Sequence, residues 1–290
     1  MATPTPTSPL ASFLGPLPPA DFLRDHYFRL PLARAGGAAA LRPLADPGLL
    51  DRLLAAEGVD AFLALDGRLW EGGRAPDAAT ARRLGDEGWT AVVRNAQRHD
   101  AGLAALAEGF RRDLGAPVNV HVYATPAGRT GFGWHYDVED VFILQAEGVK
   151  EYRLRKNTVT PWPVLELMGP DLHLEREISP AWPARLGPGD ALYIPPGWWH
   201  RADGVESPSL TIAVGLMSPT PLSALDLLRR ELVANPAWRQ RLPVAGEASG
   251  KPREALEEEY EALFRELGRD LARALSDGAL ARRFLRDVTR

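Results

Sequence analysis

The 290-residue chain contains no cysteine, which excludes disulfide frameworks, thiolate zinc sites and cysteine nucleophiles together. Any metal it holds must sit on nitrogen and oxygen ligands. Long runs of one charge sign are also missing. The 34 lysines and arginines are interspersed with 38 acidic residues, for a net charge of -4. That pattern leaves no electrostatic footprint for nucleic acid or anionic lipid, and neither is expected as a partner. Sustained apolar runs are absent as well. The uncharged stretch at 207–225 is broken by Pro208, Pro219 and Pro221, so it makes a poor membrane span. The opening MATPTPTSPL has neither a basic residue nor an apolar core, so a secretory leader is not expected and the protein reads as cytoplasmic.

What is present is an ordinary globular composition, 45% hydrophobic and 25% charged. A chain of this length buries roughly 75% of its unfolded surface and needs no staple. Residues 1–19 read as a Pro/Thr-rich disordered tail. Residues 20–117 read as mostly helical. DFLRDHYFRLPL has helical apolar spacing that stops before Pro31, and further helices are expected at 47–57, 77–85 and 99–114. The last has Leu103, Leu106, Phe110 and Leu114 on one stripe. From about Pro117 the texture changes to short β-rich runs between Gly and Pro turns: VNVHVYATP, WHYDVEDVFILQ, KEYRLR, ALYIP and LTIAVGLM. Such runs predict an antiparallel sandwich or jelly roll over 118–218. Residues 219–290 turn helical again. An amphipathic helix at 253–275 carries Leu256, Tyr260, Leu263, Phe264, Leu267, Leu271 and Leu275, and its face needs a partner, either the barrel or a second subunit.

Chemistry concentrates in GFGWHYDVEDVFILQAEGVK (131–150) and GPGDALYIPPGWWH (187–200). On a strand, His135 and Asp137 leave the same face. Pro195-Pro196-Gly197 makes a turn that delivers His200 to the next strand. Two histidines and one carboxylate on one face of an ion, with the opposite positions open, suit a non-haem Fe(II) oxygenase. An H-x-D pair alone is a weak signal, common in surface strands and turns. The second segment strengthens it, because Gly189, Pro195, Gly197 and His200 have the spacing of the second cupin motif.

The run from Val118 to Arg155 resembles the Jumonji-C (JmjC) branch of the cupin superfamily, and most closely its ribosomal-oxygenase-like protein hydroxylases. The resemblance covers residues 118–217, with a weaker echo in FLRDHYFRLPL. It implies an α+β fold: a double-stranded β-helix core with N-terminal helices and a C-terminal helical region. It carries Fe(II) onto His135, Asp137 and His200, and assigns the distal carboxylate of 2-oxoglutarate to Lys150, fifteen positions after the first histidine. Burying that carboxylate requires a cation in any case. Arg153 and Arg155, of opposite strand parity, are the reserves. Tyr123, Asn119 and Thr211 are weaker candidates near the co-substrate, each with a core role as the alternative. His121 reads as a structural strand histidine; His26, His99 and His173 have no assigned role. Trp134, Trp199 and Arg153 are candidates for the substrate approach. Relatives carry a smaller residue than Trp134, which implies a differently shaped pocket here. The proline-rich insert at 160–183 reads as a covering loop. The residues after the barrel suffice for a helical dimerisation region but not for the winged-helix domain that usually follows it.

The implied activity is hydroxylation of a C–H bond on a protein or peptide side chain with Fe(II), 2-oxoglutarate and O2, and demethylation is the same chemistry on an N-methyl group. Other classes stay open. One is a cupin that uses Zn, Mn or Ni without 2-oxoglutarate and has no need of an inward lysine. Another is an inert scaffold that merely binds a partner. An oxygenase acting on a free amino acid or other small molecule, and a homodimer formed through the C-terminal helices, are open too.

Overall fold

The computed structural model describes residues 8–72, 75–168 and 174–288, and the chain divides into two compact units, Met1–Ser218 and Pro219–Arg290. The first begins with α1 (Pro9–Leu14), α2 (Pro19–Asp25), β1 (Leu32–Arg34), α3 (Leu49–Leu54), β2 (Asp60–Leu65), β3 (Arg68–Leu69), α4 (Ala78–Asp86), β4 (Thr90–Arg94) and α5 (Ala101–Leu114). It continues through β5 (Val118–Thr125), β6 (Asp140–Glu147), β7 (Lys150–Arg155), β8 (Trp182–Leu186), β9 (Ala191–Ile194), β10 (Trp199–Gly204) and β11 (Ser209–Leu216). Eight strands form one sheet in the order β1-β9-β6-β11-β5-β4-β2-β3, and β10-β7-β8 form a smaller one. The pairings are antiparallel. The result is the expected α+β jelly roll.

Strand parity separates two cores. Along β6, Phe142 and Leu144 point outward to a core shared with Phe13, Phe22, Leu103 and Phe110 of the helices. Val141 and Ile143 point inward, where they meet Tyr152, Leu154 and Leu186 of the smaller sheet. β6 is therefore buried on both faces and reads as a continuous apolar run rather than an alternating one. The helices that support the large sheet have local causes. In α5 the Asp100 carboxylate accepts from the N–H groups of Gly102 and Leu103 at 2.9 and 3.0 Å, and Gly115 closes the other end at φ 67°.

Three expectations change. The tail assigned to 1–19 is helical over Pro9–Leu14: Ser8 caps the helix by accepting from Ala11 N–H, and Leu10, Phe13 and Leu14 are buried. The Ser-Pro cap and the apolar spacing outweigh the Pro/Thr composition; residues 1–7 lie outside the described residues. The segment expected to be mostly helical supplies β1 to β4 of the large sheet, because runs as short as DAFLAL and TAVVR do not distinguish strand from helix by period. Third, β6 begins at Asp140 rather than at Trp134, so the H-x-D pair lies before the regular strand. The stretch leading to that pair is held from outside. The Asp66-Gly67 turn between β2 and β3, both residues at positive φ, donates N–H groups to Thr130 and Gly131 carbonyls at 3.1 Å each.

The second unit consists of α6 (Pro221–Leu232), α7 (Arg253–Ser276) and α8 (Gly278–Val288). Its core is Leu227, Leu228 and Leu280, with Leu271 and Phe284 packed against them. Among the described residues no helix is long and apolar enough to cross a membrane.

Truncating Phe13 tests whether α1 belongs to the fold. Its ring lies edge-on to Phe142 at 5.1 Å between centroids and is fully buried. Phe13→Ala should lower the unfolding free energy by about 3–5 kcal/mol in chemical denaturation. A change below about 1 kcal/mol would show that α1 does not dock.

Candidate metal centre

The metal-ligating geometry begins with a backbone pair. His135 and His200 form an antiparallel bridge in which each N–H donates to the other's carbonyl, at 3.1 and 2.7 Å. Residues opposed in this way project their side chains to the same face, and the two imidazole centroids lie 4.2 Å apart. Asp137 is fixed by its own carbonyl, which accepts from Gly197 N–H at 2.7 Å. Gly197 adopts φ 78°, a conformation that favours glycine. The Pro195-Pro196-Gly197 turn therefore places His200 and clips Asp137 at once. The ligand atoms of His135, Asp137 and His200 lie within 4.8 Å of one another, and His200 Nε2 is 3.5 Å from Asp137 Oδ2.

Both imidazoles are oriented for coordination. His135 Nδ1 meets the Gly133 carbonyl at 2.9 Å, and His200 Nδ1 meets the Trp198 carbonyl at 3.0 Å. A carbonyl only accepts, so the proton is on Nδ1 and each Nε2 is free to bind a cation. Burial, reinforced by His135 and opposed by Asp137, holds His200 well below the usual imidazole range. His200 therefore remains neutral, as a ligand must.

These three side chains stand on the wall of a cavity of about 240 Å³ that Lys150, Tyr123 and Thr211 also line. Along the β7–β10 ladder His200 pairs with Leu154 and Gly204 with Lys150, so lysine and histidine are four register steps apart, about 13 Å of strand. Lys150 is 5% exposed, and among the described residues no carboxylate pairs with it. Its ammonium lies 5.8 Å from the centroid of the Tyr123 ring. Burial lowers its pKa to about 8. A buried ammonium without a counter-ion is costly, and a small anion in the same cavity would offset that cost. The residues present thus fit a divalent ion together with a dicarboxylate.

The other expected residues fall into two groups. Tyr123 and Thr211 are on the cavity wall, and the Thr211 hydroxyl donates to Gln145 Oε1 at 3.1 Å. Asn119 shares the inward parity of Tyr123 but lies outside the lining, where its Nδ2 donates to Glu139 Oε1 at 3.3 Å. His121 accepts from Asn95 N–H through Nδ1 at 3.2 Å and stands outside the lining too. Arg153 is exposed on the face of β7 opposite Lys150 and is not part of the cavity wall. Trp134 is half-buried and is not part of the cavity wall.

Trp199 is not on the cavity wall either. It is 2% exposed, stands edge-on to Tyr136 at 4.8 Å and donates Nε1–H to Glu177 Oε1 at 2.8 Å. Its parity is opposite to that of His200, which directs it behind the metal ligands. Glu177, buried in the 160–183 insert, also accepts from the Thr158 N–H and hydroxyl at 2.8 and 2.6 Å. Part of the insert is thereby tied to the strand that carries His200. Residues 169–173, including His173, lie outside the described residues. Sequence reasoning missed Thr90, Phe132 and Tyr152, which also line the cavity. For Tyr152 the signal was available, two residues from Lys150 and so of equal parity.

Comparison with known proteins finds partial matches. Residues 94–223 match the JmjC domain model. The chain is 30% identical over 213 residues to "Ribosomal oxygenase 1" of Bos taurus, covering 69% of this chain and 32% of that protein. It is 29% identical over 215 residues to "Bifunctional lysine-specific demethylase and histidyl-hydroxylase NO66" of Drosophila persimilis, covering 67% of this chain and 29% of that protein. The chain thus spans about a third of the length of these curated relatives. Among solved structures, E. coli ycfD superposes with a TM-score of 0.61 at 24% identity, over 86% of this chain and 67% of that one.

Calorimetric titration with Co(II) tests the centre. One ion should bind per chain, and His135→Ala should weaken binding by more than the roughly 10–100-fold that loss of a supporting hydrogen bond costs. Equal affinity in the two proteins would remove the metal assignment.

Proposed function

We propose that this chain, which carries a JmjC domain over residues 94–223, is an Fe(II)- and 2-oxoglutarate-dependent oxygenase that hydroxylates a C–H bond on a protein or peptide side chain. The observation that carries the reading is the buried ammonium of Lys150, without a carboxylate partner among the described residues, in the cavity that His135, Asp137 and His200 also line. A cupin working with Zn, Mn or Ni alone has no use for a buried cation there. The curated relatives are named for ribosomal oxygenase, histidyl-hydroxylase and lysine demethylase activities, which supports a protein substrate and keeps N-methyl hydroxylation within the same chemistry.

The chain's residues divide the work. His135, Asp137 and His200 would hold Fe(II) through two imidazoles and one carboxylate, a donor set that suits non-haem iron. When bound, iron and 2-oxoglutarate supply O2 activation coupled to oxidative decarboxylation, releasing succinate and CO2. The Nδ1–H bonds to the Gly133 and Trp198 carbonyls keep both imidazoles in the coordinating tautomer. Lys150 neutralises the distal carboxylate, and the Tyr123 ring beside it limits how far that end can move. Phe132, Val141 and Ile143 make the cavity's apolar wall, which restricts water near the reacting centre. We also read α7 as a self-association surface: none of its residues is buried, and Phe264 and Leu275 are 55% and 46% exposed.

With Fe(II), ascorbate and 2-oxoglutarate, the purified protein should form succinate, and His135→Ala should form none. Equal succinate from both proteins would overturn the reading. A second test uses pH. A dicarboxylate needs Lys150 protonated, and in the free protein that group titrates at about 8. Its contribution to 2-oxoglutarate affinity should therefore be constant below pH 8 and fall up to tenfold per pH unit above it. Lys150→Met should bind weakly and abolish that slope. If the slope survives in Lys150→Met, lysine is not the anchor.

A further inference from the structure

Thr90 lies on β4, outside the residues that match the JmjC domain model, and nothing in the H-x-D or second cupin motif points to it. Ala91 and Val93 belong to the core shared with the helices, so Thr90 and Val92 face the opposite way, into the barrel. Val92 pairs with inward-facing Tyr123, and Ala91 with Ala124, which sets Thr90 across from Thr125. Thr90 is 1% exposed and is on the wall of the metal-centre cavity. Its Oγ1 is fully shielded and has no hydrogen-bond partner. Of the shielded polar side-chain atoms without a partner among the described residues, it is the one whose residue lines this cavity.

Its position relative to Lys150 follows from the ladders. Lys150 pairs with Gly204, and a Cβ at Gly204 would lie 3.4 Å from Thr125 Cγ2. Lys150, Gly204, Thr125 and Thr90 thus belong to one layer across the barrel. Gly131 packs directly against Thr90: a Cβ there would stand 3.0 Å from both Thr90 Cβ and Oγ1. The Thr211 hydroxyl in the same cavity already donates to Gln145.

A carboxylate offers about four acceptor sites, and a single ammonium does not satisfy them all. We infer that Thr90 is a second anchor of the co-substrate, its hydroxyl donating to the distal carboxylate that Lys150 neutralises. This inference rests on the reading of the cavity as a 2-oxoglutarate site. It assigns Thr90 a part in telling a 2-oxo dicarboxylate from a 2-oxo monocarboxylate.

The test is direct binding to the full chain loaded with Fe(II) without oxygen, measured by calorimetry for 2-oxoglutarate and for 2-oxobutyrate, which lacks the distal carboxylate. Thr90→Val keeps the side chain's shape and removes the hydroxyl. It should weaken 2-oxoglutarate binding roughly ten- to a hundredfold and leave 2-oxobutyrate binding unchanged, while Thr90→Ser should stay within a few-fold of wild type. Unchanged 2-oxoglutarate affinity in Thr90→Val would show that the hydroxyl is met by water and overturn the inference alone. Equal losses for both ligands, or a Thr90→Ser as weak as Thr90→Val, would make Thr90 a packing residue and also overturn it. A wild-type protein that binds the metal but no 2-oxoglutarate would overturn the underlying reading, and the inference with it.

Discussion

The site depends on one pair of backbone hydrogen bonds, those exchanged between His135 and His200 at 3.1 and 2.7 Å. Residues 65 positions apart in sequence become direct neighbours, and their imidazoles share a face because opposed residues of an antiparallel bridge must. The rest of the fold protects this pair. The β2–β3 turn holds Thr130 and Gly131, the Gly197 turn holds Asp137, and Trp199 packs behind the ligands between Tyr136 and Glu177. A cation needs its ligands placed to within a fraction of an ångström, and flexible loops do not provide that unless their backbone is tied at several points.

The second constraint is electrostatic. A jelly roll encloses an interior, and this one contains an ammonium at Lys150, a shielded hydroxyl at Thr90 and an imidazole that burial keeps neutral, His200, on the wall of the same cavity. Such polar groups oppose folding unless they are satisfied. Their cost is evident in the lowered pKa of Lys150. Concentrating that cost in one cavity prepares the protein for an anionic ligand, whose binding relieves it. The outer core of Phe13, Phe22, Phe110 and Phe142 offsets that cost, because it lies on the other face of the large sheet and is built mainly of aliphatic and aromatic side chains.

How far the sequence could be read varies with the kind of information. Strand runs such as KEYRLR appear with unchanged bounds as β7, because alternation is a local property. The same alternation separated Lys150 from Arg153 and Arg155. It also made Trp199 legible as opposite in parity to His200, although the weight given to aromatic residues beside ligands led to the reverse expectation. The helical reading of 20–117 failed at β2 and β4 for want of length, and the tail reading failed at α1 because composition was averaged over a capped helix. Asn119 is inward by parity, yet it engages Glu139 rather than the cavity, a choice that neighbouring side chains make.

By itself, the sequence marked the candidate ligand set and a sandwich or jelly-roll class, and the family resemblance singled out Lys150 between two sets of opposite parity. Residue types, short spacings and a period of two are local physics that hold wherever the strand is placed. Tertiary structure alone decided which surfaces meet. It brought β4 beside β5 and so put Thr90 on the cavity wall, turned Trp199 toward a glutamate in the insert, and left Lys150 without a carboxylate partner among the described residues. Those outcomes depend on contacts between residues far apart in the chain, whose energies are set by what else is buried there, and no local pattern in the sequence carries that information.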